Sequence, residues 1–271
     1  FSPDGTRLAA ANEGTSVKVW NPQDGALIYT LGGFETPVLC VAYSPDGTML
    51  ATGDTNRANS GRQRSGTAVA WNTSDWSQVF SVNDSKAVCS LAFSPDGSSL
   101  VGGLGGTMPD DSIARMEESY ERMSAQQSSS GRTVSNSMSF KTWQWGGLMI
   151  YNLASRKVAS TPSVDSSRIT AVAVSPDGKQ FVTSGFRGEL KLRDASNGDP
   201  LVDLVQPRGS QYAIHAVAFA SNQPILAGGA PNGFLLYNTA EKKEVLRNTT
   251  AGEVHAIRFS DDGRILATGH E

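Results

Sequence analysis

Apolar runs recur along the chain: VLCVAYS at 38–44, AVCSLAFS at 87–94, ITAVAVS at 169–175, IHAVAFA at 214–220 and VHAIRFS at 254–260. Runs that stay apolar at successive positions belong to strands covered on both faces. A turn tract is fused to the end of each such run. It reads FSPDG at 1–5, YSPDG at 43–47, FSPDG at 93–97, VSPDG at 174–178 and FSDDG at 259–263, with a worn copy at 219–224. Pro presets φ for the second turn position, Asp tolerates the third, and Gly accepts the positive φ that follows. A second strand comes next, as in LATGD at 50–54, FVTSG at 181–185 and ILAGG at 225–229. The third alternates and ends in an aromatic, as in VKVWN at 17–21, AVAWN at 68–72, LMIYN at 148–152 and FLLYN at 234–238. The fourth, ALIYTL at 26–31 or KEVLR at 243–247, is more polar, as an outer edge requires.

The turn tracts start at 1, 43, 93, 174, 219 and 259, so the intervals are 42, 50, 81, 45 and 40 residues. The two long intervals hold compositionally foreign stretches, 55–66 and 105–146, and without them every interval falls near one value. A unit of about 40 residues therefore repeats throughout the chain. Within the longer stretch, 110–127 reads as a helix. Ile113, Met116, Tyr120 and Met123 recur at 3, 4 and 3 residues as one apolar stripe, with Glu118 and Arg122 as an i,i+4 pair. Ser128 to Ser130 follow as a hinge, then Trp143-Gln144-Trp145 leads into the third strand.

At these residues the chain resembles the WD-repeat β-propellers. The resemblance covers essentially everything outside the two insertions, and it rests on SPDG followed about 25 residues later by an aromatic-Asn dipeptide. It implies an all-β fold, a β-propeller of four-stranded radial blades with about six repeat units, the first and last incomplete, and one helical insertion. Residues 1–271 would form one partial ring, and 105–146 an inserted helical, Ser-rich segment between the second and third strands of one blade. The dipeptides depart from the family's Trp-Asp: Trp20-Asn21, Trp71-Asn72, Tyr151-Asn152, Arg193-Asp194 and Tyr237-Asn238. No Gly-His pair precedes the inner strands, and the turns at 12–14, 186–188 and 231–233 lack the family's Asp. The polar network that the family builds inside each blade is therefore not expected here, leaving apolar packing between blades to carry more of the stability. Three strands fall to the first unit, four to each of the next four and two to the last, fewer than a six- or seven-bladed ring needs. The chain is read as part of a longer polypeptide with an open strand edge at each end, compatible with further fused domains.

Composition narrows the partners. A net charge of -3 provides no basic field, so nucleic acid is not an expected partner. No apolar stretch approaches the roughly 18 residues of a membrane span. The chain begins at Phe1 rather than Met, so the sequence assigns no compartment. Cysteine allows at most one bridge. Cys40 and Cys89 are offset by one residue on their inner strands, so they face opposite ways as free thiols.

Candidate chemistry is thin. His215 and His255 each stand four residues before the strand-ending Phe219 and Phe259, at one level near the axial opening that the resemblance implies. The equivalent positions are Leu39, Cys89 and Thr170, and no Asp, Glu or Cys matches both histidines, so they read as polar strand-start residues and not a metal site. The repeating serines mark a turn, not a unique nucleophile. The stretch Gly102-Gly103-Leu104-Gly105-Gly106 lacks a GK[ST] ending and reads as a flexible hinge.

No cofactor is expected. The functional expectation is a non-enzymatic interaction scaffold or sensor that binds a protein or peptide on its loop face. The alternative is a propeller enzyme, a quinoprotein-like dehydrogenase or a hydrolase, with a site at the axial opening. Both insertions interrupt the connection between second and third strands in consecutive units, so they emerge on one face of neighbouring blades. Arg57, Arg62 and Arg64 supply an electrostatic rim that selects an acidic partner, and Met116, Tyr120, Trp143 and Trp145 supply apolar anchors.

Overall fold

The computed structural model describes residues 1–11, 15–57, 64–84, 86–107, 144–159, 167–206, 212–249 and 252–270. Six antiparallel meanders follow one another along the chain. The first is β1 (Leu8–Ala11), β2 (Val17–Trp20) and β3 (Leu27–Leu31). The second is β4 (Val38–Tyr43), β5 (Met49–Asp54), β7 (Arg64–Asn72) and β8 (Gln78–Asp84), with the two-residue β6 (Asn56–Arg57) paired to the start of β7. The third is β9 (Ala87–Phe93), β10 (Ser99–Thr107), β11 (Gln144–Asn152) and β12 (Lys157–Ala159). The fourth is β13 (Ile169–Val174), β14 (Gln180–Gly185), β15 (Leu190–Asp194) and β16 (Pro200–Val205). The fifth is β17 (Ala216–Phe219), β18 (Ile225–Ala230), β19 (Gly233–Asn238) and β20 (Lys243–Asn248), and the sixth is β21 (Val254–Phe259) with β22 (Leu266–His270). No element among the described residues is a helix. The helical tract expected at 110–127 lies outside them.

The strands form where the sequence alternates. Along β19, Gly233, Leu235 and Tyr237 are buried while Phe234, Leu236 and Asn238 are half-buried, the period of two of a strand with one face enclosed and the other partly covered. First strands of successive sheets lie side by side, β4 against β9, β9 against β13, β13 against β17 and β17 against β21. The core is correspondingly divided. Each apolar cluster fills the junction between two successive sheets, as Val101, Leu148 and Ile150 meet Ile169, Val172 and Phe181 between the third and fourth.

The repeated turn is a closed hydrogen-bond cycle. Ser44 Oγ donates to the Asp46 carboxylate at 2.6 Å, Asp46 accepts the Thr48 N–H at 3.0 Å, and Ser44 Oγ accepts the Met49 N–H at 2.9 Å. The same cycle recurs at Ser2–Asp4, Ser94–Asp96, Ser175–Asp177 and Ser260–Asp262. Its glycines sit at φ between 67° and 70°, a region closed to most side chains. The worn fifth copy replaces the cycle with a tie to its neighbour: Asn222 Nδ2 donates to the Asp262 carbonyl at 2.7 Å.

Donation from serine holds the turn carboxylates below their usual range. Asp4 and Asp96 are lowered to about 2, and Asp46, Asp177 and Asp262 move the same way. Because the folded values lie below the unfolded one, the turns contribute fully above about pH 4 and lose that contribution as the pH falls towards 2. Stability followed by circular dichroism during acid titration is expected to drop across that window. An Asp46→Ala/Asp96→Ala double variant should be less stable at neutral pH and show a shallower drop.

Two expectations are corrected. The stretch Gly102 to Gly106 is not a hinge: it lies in β10, paired residue by residue with β11 out to Thr107 and Gln144. Gly103 is packed so closely that a Cβ there would stand 2.5 Å from Ile169 Cγ2 of the next sheet. Part of the intra-blade polar network is also present. Trp71 Nε1 donates to Thr52 Oγ1 at 3.0 Å, joining third strand to second. Arg193, fully buried, does the same from Nε to Thr183 Oγ1 at 3.0 Å and caps the Gly198 carbonyl at 3.0 Å with Nη1. Glu189, 3% exposed, accepts the Ser167 hydroxyl and the Arg187 N–H, closing the turn before β15 without the family's Asp.

Candidate functional site: the rim at the start of the inner strands

A β-bulge interrupts β4, β9, β13 and β21 at the same place near their starts. The residues left without a ladder partner are Leu39, Cys89, Thr170 and His255. His215 takes the equivalent place before β17, where its N–H donates to the carbonyl of Gly229, the residue Ala216 also faces. A bulge re-aims one side chain while the strand continues, so five sheets present one re-aimed residue each at the same end. Immediately before each bulge stands a buried aliphatic: Val38, Val88, Ile169, Ile214 or Val254. Three of these seat on a glycine of the preceding sheet, Val88 on Gly53, Ile169 on Gly103 and Val254 on Gly229.

The bulge explains the cysteines. Cys89 is the re-aimed residue of β9, whereas Cys40 follows the bulge of β4 and packs with Gly53 and Val88. Both are free thiols, as expected. Burial pushes both thiols up, and Arg168 beside Cys89 pulls that one partly back.

The two histidines do stand at one level, with ring centroids 5.3 Å apart. The expectation that no acid matches both is overturned. Glu253 Oε1 lies 3.4 Å from His215 Nε2 and 3.6 Å from His255 Nε2. Glu253 went unnoticed in the sequence because it precedes its strand and aligns with neither histidine. Among the described residues, no group of three or more His, Cys, Asp or Glu side chains is arranged to hold a metal ion.

Both insertions root at this same end. Val38 at the start of β4 faces Asp54 at the end of β5, and Ala87 at the start of β9 faces Gly105 on β10. Arg57 and Arg64 stand opposite each other in the backbone register of β6 and β7. Trp145 takes its place on β11 opposite Gly106. Arg62, Met116, Tyr120 and Trp143 lie outside the described residues. At the root of the longer excursion Lys86 packs by Gly106 and Gly147 and Arg168 by Gly105, while Asp84 accepts the Lys86 N–H at 2.9 Å. Asp54, on the second sheet, is raised by burial while it accepts the Thr67 N–H at 2.7 Å.

At the opposite end the inner strands enclose a cavity of about 1090 Å³, walled by Tyr43, Phe93, Val174, Phe219 and Phe259. Arg258 and Asp261 are its charged lining residues. Among the described residues no helix is long and apolar enough to cross a membrane.

Comparison with known proteins agrees with this architecture. A profile described as WD domain, G-beta repeat, matches residues 1–21, 25–58, 76–109 and 157–194. Intraflagellar transport protein 122 homologs are similar over 58 residues, 41% identical in Xenopus tropicalis and 40% in Homo sapiens. The matched stretch is 21% of this chain and spans 5% of each relative's length.

Proposed function

Because the chain belongs to the WD-repeat family, we propose that it is a non-enzymatic interaction scaffold whose partner docks on the face where the inner strands begin. One observation carries this reading: the two excursions leave from neighbouring sheets at that same end. Loops of such length are retained for function or left disordered. The basic rim residues Lys86 and Arg168, with Arg57, Arg62 and Arg64 in the shorter excursion, favour an acidic peptide or protein. Met116, Tyr120, Trp143 and Trp145 supply the apolar anchors of the same surface. The relatives' name denotes a transport protein, which supports a binding role over a catalytic one.

Replacing 108–143 with a short Gly-containing turn leaves the Thr107–Gln144 pair intact, so the sheets should fold and melt as before. Partner recovery in pull-downs should be lost with the excursion, and binding of a labelled Glu-rich peptide should weaken in an Arg57→Ala/Arg62→Ala/Arg64→Ala variant. Unchanged recovery and unchanged peptide binding would place the partner elsewhere.

A further inference from the structure

His215 precedes β17, and Glu253 and His255 stand at the start of β21, so this cluster joins two neighbouring sheets. We propose that His215, Glu253 and His255 form an acid-sensitive latch where the β21–β22 hairpin meets the β17–β20 sheet, tolerated while at most one ring is charged and loosening the junction when acidification charges both. The inference does not depend on where a partner docks.

The geometry supplies one carboxylate for two imidazoles. Glu253 Oε1 lies within 3.6 Å of both Nε2 atoms, so it compensates one positive charge and not two. Doubly protonated rings would hold like charges with their centroids 5.3 Å apart and a single carboxylate between them, so charging one ring opposes charging the other. His215 is the more enclosed ring, its side chain 27% exposed against 46% for His255. Burial first, then His255 and Arg168 from the β13 side, disfavour its charged form, and Glu253 opposes them. His270 on β22, across from Val254, is engaged with Thr268 Oγ1 at 2.8 Å.

The sign follows from His215 being a base whose folded value is depressed. Its neutral form is the one the fold prefers, so its contribution is complete above the unfolded value near 6.5 and is lost as the pH falls below it. The apolar part of this junction, Val254 on Gly229 with Ile257 beside Ala218 and Ala227, holds at every pH. Acid therefore weakens the hairpin's attachment without dissolving its core.

The test is a histidine titration by NMR on the whole chain, with amide hydrogen exchange of β21 and β22 at pH 7.5 and 5.5, corrected for intrinsic exchange chemistry. The His215 midpoint should lie below 6.5, move lower in Glu253→Gln and move higher in His255→Gln. Protection of the β21 and β22 amides should fall about fivefold or more at pH 5.5 relative to β13 and β14, as expected for local opening. His215→Gln should remove that difference. A His215 midpoint indifferent to both Glu253→Gln and His255→Gln would overturn the latch. So would a wild-type pH dependence of exchange surviving in His215→Gln or, where that variant does not fold, in His255→Gln.

Discussion

Ile169→Ala is expected to destabilise the fold by about 2–5 kcal/mol, the range for truncating a fully enclosed aliphatic side chain. Ile169 is 1% exposed and belongs to the cluster between the third and fourth sheets, with Leu148, Ile150 and Phe181. Its branched end rests in the space left by Gly103, and backbone on both sides is pinned by ladder bonds, so collapse around the cavity is restricted. The reciprocal change, Gly103→Ala, places a methyl 2.5 Å from Ile169 Cγ2 and should cost about 1–3 kcal/mol by overpacking. Combined, the two should cost less than their sum, because the added methyl occupies part of the vacated volume. Urea denaturation of the four species measures the cycle. A loss under about 1 kcal/mol for Ile169→Ala would show that the knob-and-glycine contact is not what joins the sheets.

Arg193→Ala should be the other severe change, costing about 3 kcal/mol from lost packing and from lost hydrogen bonds made by a charged donor. The guanidinium is fully buried, bridging Thr183 on β14 and the Gly198 carbonyl in the turn before β16. Trp71 occupies the matching place in the second sheet and makes the matching bond to Thr52. Arg193→Trp should therefore recover most of the loss, keeping a donor aimed at Thr183 and filling the volume with a ring. Thermal and urea unfolding compare the two variants; equal damage from both would mean that the contacts an indole cannot make, the one to Gly198 among them, dominate.

Much of the architecture was legible because it is written locally. SPDG encodes its own Ser-to-Asp hydrogen bond and its positive-φ glycine, and the apolar runs before it encode strands covered on both sides. What escaped depended on a neighbour distant in sequence. Gly103 looks like a hinge until Ile169 is seated on it. Arg193 looks like a broken motif until Thr183 is opposite. The bulges at Leu39, Cys89, Thr170 and His255 leave no mark in composition, since one residue merely slips out of register. Glu253 meets His255 beside one such slip and His215 across the junction between two sheets, a pairing no local motif announces. That both excursions leave from second-to-third connections of consecutive units was legible, while the strand ends flanking the longer one reach further than composition suggested, to Thr107 and Gln144.

The divided core has a kinetic consequence. Every apolar cluster draws its residues from two successive units, so most stabilising contacts join parts of the chain within about two repeats of each other. Such a chain has short contact order for an all-β protein, and its closure entropy is met one sheet at a time. Folding can start at any well-formed pair of meanders and spread to its neighbours, much as a row of coupled spins aligns. A weak junction then marks a boundary at which the cooperative unit can divide, so that neighbouring sheets unfold in separate steps.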